Sequence, residues 1–69
     1  MKITYKPEVD VLRIVLSEAP IEESDEEKQG VIFNYDINRN IIGLEILDAS
    51  QRMDNPRSVK YSILTHKFV

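Results

Sequence analysis

Two short runs of alternating side chains restrict this chain more than any other feature. Val31, Phe33 and Tyr35 alternate with Ile32, Asn34 and Asp36, and Ile42, Leu44 and Ile46 alternate with Ile41, Gly43, Glu45 and Leu47. A period of two puts successive side chains on opposite faces of an extended backbone, so each run predicts a β-strand. Between them stands Asp36-Ile37-Asn38-Arg39-Asn40, rich in residues that tolerate left-handed backbone angles and bond to their own main chain. A hairpin is the natural connection.

The same rule finds further strands. Ile3 and Tyr5 alternate with Lys2, Thr4 and Lys6 until Pro7 removes a backbone donor. Residues 9 to 17 place Leu12, Ile14 and Leu16 on one face and Val11, Arg13 and Val15 on the other. A tight Pro7-Glu8 turn would join these two runs as a hairpin. The valines Val11 and Val15 call for cover on the second sheet face as well. Residues 18 to 29 are dominated by acids with Pro20 among them, and they read as a loop in which Ser24 and Glu27 could cap a brief helical turn before Gly30. Asp48 or Ser50 can cap a short helix that Pro56 prevents from continuing. Val59, Tyr61 and Ile63 alternate with Lys60, Ser62 and Leu64, which predicts a fifth strand running towards Phe68, with a terminal helix as the alternative. The expected architecture is mainly β, at the border of α+β: one domain over residues 1–69, an antiparallel meander of about five strands with one short helix after the fourth strand.

Size and composition narrow the function classes. A chain of 69 residues and 8.0 kDa hides only about 60% of its unfolded surface on folding. Such a domain usually needs a disulfide, a structural metal or a partner subunit. With no cysteine there is neither a disulfide nor a thiolate metal site, which fits a reducing cytoplasm. The Met1–Pro7 start has no apolar stretch behind its lysines, so no signal peptide is expected, and no run reaches membrane-spanning length. The formal net charge of −3, from 12 acidic and 9 basic residues, leans against nucleic acid. The charge is uneven: Glu18, Glu22, Glu23, Asp25, Glu26 and Glu27 cluster in one window, whereas Arg52, Arg57, Lys60 and Lys67 make the C-terminal segment basic.

No motif reaches the specificity of a named chemistry. Asp36, Asn38 and Asn40 match the first, third and fifth ligand positions of an EF-hand loop, but Ile41 stands where glycine is needed and Leu47 where a bidentate glutamate is needed. A plain turn is the better reading. The acids of residues 22–27 read as a solvated loop rather than a cation site. Asp10, Glu45 and Asp48 lie in or beside strands, where a carboxylate usually faces a lysine or arginine across the ladder. His66 is the only histidine, the serines carry no nucleophile-elbow motif, and the two glycines do not form a phosphate-binding loop. Gly43, inside an apolar strand, marks a bulge or the close approach of a neighbour such as Tyr5 or Phe33. No catalytic residue, cofactor or metal ligand is assigned.

Tyr5, Asp10, Leu12 and Ile14, then Gly30-Val31-Ile32-Phe33-Asn34-Tyr35-Asp36, then Asn40-Ile41-Ile42-Gly43-Leu44-Glu45-Ile46-Leu47-Asp48-Ala49-Ser50 form a pattern. It resembles the small bacterial domain-of-unknown-function family 2283 (DUF2283), with Tyr35 to Ser50 as its specific part. The residues after Asn55 lie outside the resemblance, and Val11 and Leu44 depart from its usual residues. The resemblance implies a compact β-meander with a short helix, no established activity, and relatives encoded beside other very small genes in toxin–antitoxin-like pairs.

The favoured function is a non-enzymatic protein-interaction module: a homodimer or one half of a small complex, joined through Val11, Val15, Ile32, Ile41 and Leu47 on the second sheet face. Two alternatives belong to other classes. One is a small carboxylate- or His-dependent hydrolase or metal-binding domain using Asp36, Glu45, Asp48 or His66. The other is a nucleic-acid-associated regulator acting through Arg52, Arg57, Lys60 and Lys67. The expected partner is a second copy or another small protein, with no membrane.

Overall fold

A computed structural model describes residues 1–65. Its elements are β1 (Lys2–Lys6), β2 (Val11–Val15), β3 (Glu23–Lys28), β4 (Val31–Tyr35), β5 (Ile41–Leu47) and α1 (Ala49–Arg52). The strands form one antiparallel sheet in the order β1-β2-β5-β4-β3. The mainly β class, five strands and one short helix agree with the sequence. The order adds what periodicity cannot carry: β3, β4 and β5 make a meander, and the β1–β2 hairpin joins it by pairing β2 with β5.

The β1–β2 turn is longer than a Pro7-Glu8 turn. It takes Pro7 to Asp10, closed by Val9 N–H and Asp10 N–H donating to the carbonyls of Lys6 and Pro7. Asp10 adopts φ 56°, a left-handed conformation that aspartate tolerates better than most residues. Strand β2 spans Val11–Val15 rather than the whole of residues 9–17. Beyond it, the amides of Leu16 and Ser17 both donate to the Ile42 carbonyl, at 2.8 and 3.1 Å.

Two expectations are corrected. The acidic window is not a loop throughout: Glu23–Lys28 is an edge strand paired with β4, from Glu23 opposite Tyr35 to Lys28 opposite Val31, with a bulge between Glu26 and Lys28. Repulsion does not unfold it because three of its four acids are individually held. Glu26 accepts from Gly30 N–H at 2.7 Å, Glu27 accepts from the Tyr35 hydroxyl at 2.6 Å, and Glu23 pairs with Arg39. The helix therefore follows the fifth strand, not the fourth. The second correction concerns the C-terminal segment. Residues 57–65 form neither the expected strand nor a helix, and the extension of that strand to Phe68 lies outside the described residues.

Helix α1 is four residues long. Asp48 occupies its N-cap position at φ 52° but makes no side-chain cap, and Ser50 turns its hydroxyl to Asp10 instead of capping. Gly43 lies opposite Asn34, beside a bulge that separates Asn34 from Tyr35 in the β4–β5 ladder. The neighbour that needs its small size is Asn34, not Tyr5 or Phe33. A Cβ at Gly43 would sit 3.1 Å from Asn34 Oδ1 and 3.0 Å from the Ile14 carbonyl oxygen.

The sheet is a single layer, and the hydrophobic side chains it fully buries are few: Leu12, Tyr35, Ile42 and Ala49 among the described residues. The accessible surface is 5605 Å², against about 4,450 Å² for a compact monomer of this mass. The radius of gyration is 14.2 Å, against about 11 Å for a compact chain of this length. An open sheet face and an unpaired C-terminal segment account for both.

Candidate interaction surface

In an antiparallel ladder, residues directly opposite one another point to the same face. The registers therefore assemble each face row by row. On the first face, Tyr5, Leu12, Ile46 and Val31 form one row across β1, β2, β5 and β4, and Ile3, Ile14, Leu44 and Phe33 form the next. Apart from the Tyr5 hydroxyl, both rows are apolar, and each meets a charged residue only at the β3 end, Lys28 and Asp25 respectively. The two rows bring together side chains separated by up to 43 positions in the chain, Ile3 to Ile46.

Among the described residues, the C-terminal segment covers one corner of this face. Pro56, Arg57 and Val59 gather with Ile3, Tyr5, Pro7 and Leu12 around a shallow cleft, and the Arg57 guanidinium stands 5.8 Å from the centre of the Tyr5 ring. Away from that corner, Ile14, Val31, Phe33, Leu44 and Ile46 remain half-buried. Side chains of this kind usually disappear beneath a second layer.

The opposite face is mixed. Its rows read Lys6, Val11, Leu47; then Thr4, Arg13, Glu45, Ile32, Glu26; then Lys2, Val15, Gly43, Asn34, Ser24. Four of the five interface residues expected from sequence lie here, but not as one patch: Val11 and Leu47 face each other, while Val15 and Ile32 are set apart by Arg13 and Glu45. Ile41 sits at the far end of β5, opposite Tyr35 beyond the bulge. Asn34 is the buried polar residue of this face, 1% exposed. Its amide nitrogen donates to Ser24 Oγ at 2.9 Å and to Glu45 Oε2 at 3.4 Å.

At the β1–β2 turn, Asp10 ties two remote parts of the chain together. One carboxylate oxygen accepts from the Tyr5 hydroxyl at 2.7 Å and from Ser50 N–H at 2.9 Å, and the other accepts from the Ser50 hydroxyl at 2.7 Å. These donors favour the charged form, so the Asp10 carboxyl is held below its ordinary value, with the Tyr5 hydrogen bond the largest cause. The same bond pushes the Tyr5 phenol up. Asp10 acts as a structural clasp rather than a reactive group. It is what seats α1 and the start of the C-terminal segment beside β1.

The carboxylates considered for hydrolysis do not converge. Asp36 lies in the β4–β5 turn, where it accepts from the backbone of Asn38 and from the backbone and side chain of Asn40. Those bonds hold its carboxyl below the ordinary range, with the Asn40 backbone first among them. Asp48 lies past the other end of β5, a strand about 24 Å long at ~3.4 Å per residue. Glu45 stands between them, opposite Arg13 and Ile32. Asp36, Asn38 and Asn40 thus form a self-bonded turn. Among the described residues no cluster of acids or histidine is placed to hold a metal ion, and His66 lies outside those residues.

The basic residues are dispersed too. Arg52 donates to the Gln29 carbonyl at 2.6 Å and packs against Gly30, while Arg57 lies by Tyr5. Lys60 is exposed, and Lys67 is outside the described residues. No helix among the described residues is long and apolar enough to cross a membrane. The feature sequence reasoning missed is the first face itself. Nothing in local periodicity reports whether a second layer covers its residues.

Comparison with known proteins gives one result. The family described as "Protein of unknown function (DUF2283)" matches residues 2–50, all five strands and the start of α1. No curated protein and no solved structure is significantly similar to the chain.

Proposed function

This chain belongs to the DUF2283 family, and from its open sheet we propose that it is a protein-interaction domain that pairs with a second copy through the apolar face of its sheet. The observation that carries the reading is the pair of apolar rows, Tyr5-Leu12-Ile46-Val31 and Ile3-Ile14-Leu44-Phe33, which the described residues cover at the Pro56–Val59 corner alone. At roughly 25 cal/mol per Å² of apolar surface removed from water, a face of this kind favours association strongly. A second copy is the fitting occupant because the rows are free of charge up to the β3 end, so two copies of the face meet without burying an unpaired charge at the centre. Two such faces would close into a sandwich with an ordinary core about 10 Å thick. The surface the lone chain exposes beyond the compact expectation is of the order that pairing would bury. The absence of cysteine fits a cytoplasmic setting for such a pair.

The test compares the two faces. Leu44→Lys places a charge at the centre of the apolar face, and Val15→Lys places one on the mixed face. Light scattering coupled to size exclusion should show a dimer for the unmodified chain and for Val15→Lys, and a monomer for Leu44→Lys. Loss of the dimer in Val15→Lys alone would move the interface to the face of Val11, Val15, Ile32 and Leu47. A chain that is monomeric throughout would contradict self-association and leave a different small protein, as in a toxin–antitoxin-like pair, as the partner to seek.

A further inference from the structure

Residues 57–65 are unpaired among the described residues, and two observations say where they go. Val59, Tyr61 and Ile63 keep the alternation of a strand, yet they are 57%, 72% and 76% exposed, and Leu64 is 86% exposed. The sheet meanwhile has two open edges, β1 and β3. An edge strand presents unpaired backbone donors and acceptors that accept an added strand readily. We propose that residues 59–65 of one copy cross to a second copy, where residues 62–65 add as a strand along the β3 edge, so that two chains exchange their C-terminal segments. This deepens the self-association proposed above and rests on it.

Charge chooses the edge. Residues 55–65 carry Arg57 and Lys60 and no acid. The β1 edge carries Lys2 and Lys6 and would repel them, whereas β3 carries Glu23, Asp25, Glu26 and Glu27 against one lysine, Lys28. The acids also discourage one β3 from pairing with another, because like charges directly across a ladder are destabilising. The open acidic edge thus excludes its own kind and suits a basic strand.

Geometry makes the exchange intermolecular. The segment leaves the sheet at the β1 corner, where Pro56, Arg57 and Val59 meet Ile3, Tyr5 and Leu12. Its own β3 is the opposite edge of the five-stranded sheet, about 19 Å away at ~4.8 Å per strand. Residues 59–65, extended, reach about 24 Å. Crossing the sheet would leave too little of them to pair. In a face-to-face pair related by a two-fold axis parallel to the strands, β1 of one copy lies over β3 of the other, about 10 Å apart. Counted from Val59 in the same way, the segment then arrives at the partner's acidic edge within about three residues and leaves residues 62–65 to pair along it. That arrangement also closes the dimer with both segments used.

Hydrogen exchange on the full-length chain tests this, read beside Ile63→Pro, which removes a strand donor from a segment outside the folded sheet. Light-scattering mass is recorded on the same samples. The expected result is exchange slowed about tenfold or more at residues 62–65 and along β3 as the concentration rises. In Ile63→Pro that protection should be lost in both places, with β1 unchanged. Unprotected 62–65 in a chain that is dimeric by mass would overturn the exchange and leave the apolar-face pairing standing. A chain that is monomeric by mass would overturn both.

Discussion

Asp10 and Ser50 stand 40 residues apart in sequence, yet the Asp10 carboxylate takes both the backbone N–H and the hydroxyl of Ser50, at 2.9 and 2.7 Å. This joins the first turn of the sheet to the helix that follows its last-formed strand, and the Ala49 amide reinforces the joint by donating to the Asp10 carbonyl at 2.9 Å. A residue in a left-handed conformation thus clasps the two ends of the family-matched region.

Acid should open that clasp. The folded carboxyl of Asp10 is lowered from its usual value of 3.8 by Tyr5 first and Ser50 next. A lowered folded value means a contribution fully present above the unfolded value and lost as the pH falls through the folded one. Melting temperatures of the native chain should therefore drop below about pH 4 more steeply than those of Asp10→Asn, which already lacks the charge. Asp10→Gly suits the positive φ better but removes all three bonds. It should melt below Asp10→Asn at neutral pH. Equal acid slopes for the native chain and Asp10→Asn would refute the clasp.

The alkaline side has its own marker. Hydrogen bonding to Glu27 comes first among the causes that raise the Tyr35 phenol above 10.0. A raised folded value gives stability that is present below the unfolded value and lost as the pH rises through the folded one. In Glu27→Gln the ultraviolet titration of Tyr35 should move down towards the ordinary phenol range. An unchanged titration would show that the 2.6 Å contact does not persist in solution.

Gly43→Ala should destabilise, although alanine normally stiffens a chain favourably. The added Cβ meets the Ile14 carbonyl oxygen at 3.0 Å and Asn34 Oδ1 at 3.1 Å, and the first of these is backbone that cannot turn aside. A cost of about 1–3 kcal/mol follows from crowding of this kind, measurable by urea unfolding. A stability gain would show that β2 and β5 can separate at that point.

Leu12→Ala tests the small core. Leu12 is among the few fully buried hydrophobic side chains, and its truncation should cost about 2–3 kcal/mol, the lower part of the range for core leucines because a single-layer sheet can settle into the gap. Leu44→Ala, on the half-buried open face, should cost less at concentrations where the chain is monomeric. A Leu44→Ala cost that grows with concentration would be the signature of the proposed pairing.

Strands whose side chains alternate cleanly were legible in the sequence. Val31–Tyr35 and Ile41–Leu47, with the Asp36–Asn40 turn between them, needed only the period of two and the turn chemistry of aspartate and asparagine. Glu23–Lys28 was not legible. Its pattern is polar on both sides, and what makes it a strand is the open edge of β4 together with bonds from Tyr35, Gly30 and Asn34 that come from elsewhere in the chain. The segment 59–64 failed in the opposite direction. It has the pattern of a strand, but within one chain it pairs with neither edge of the sheet. The apolar rows could be assembled only from register, because each draws on four strands and the β2–β5 pairing crosses the chain's order.

Sedimentation equilibrium of the unmodified full-length chain, from low micromolar to high micromolar concentration, tests the central claim most directly. The account predicts a reversible rise from the 8.0 kDa chain mass to twice that value, with no larger species because a two-fold pair closes on itself. A chain mass that stays at the monomer value across the whole range would contradict it.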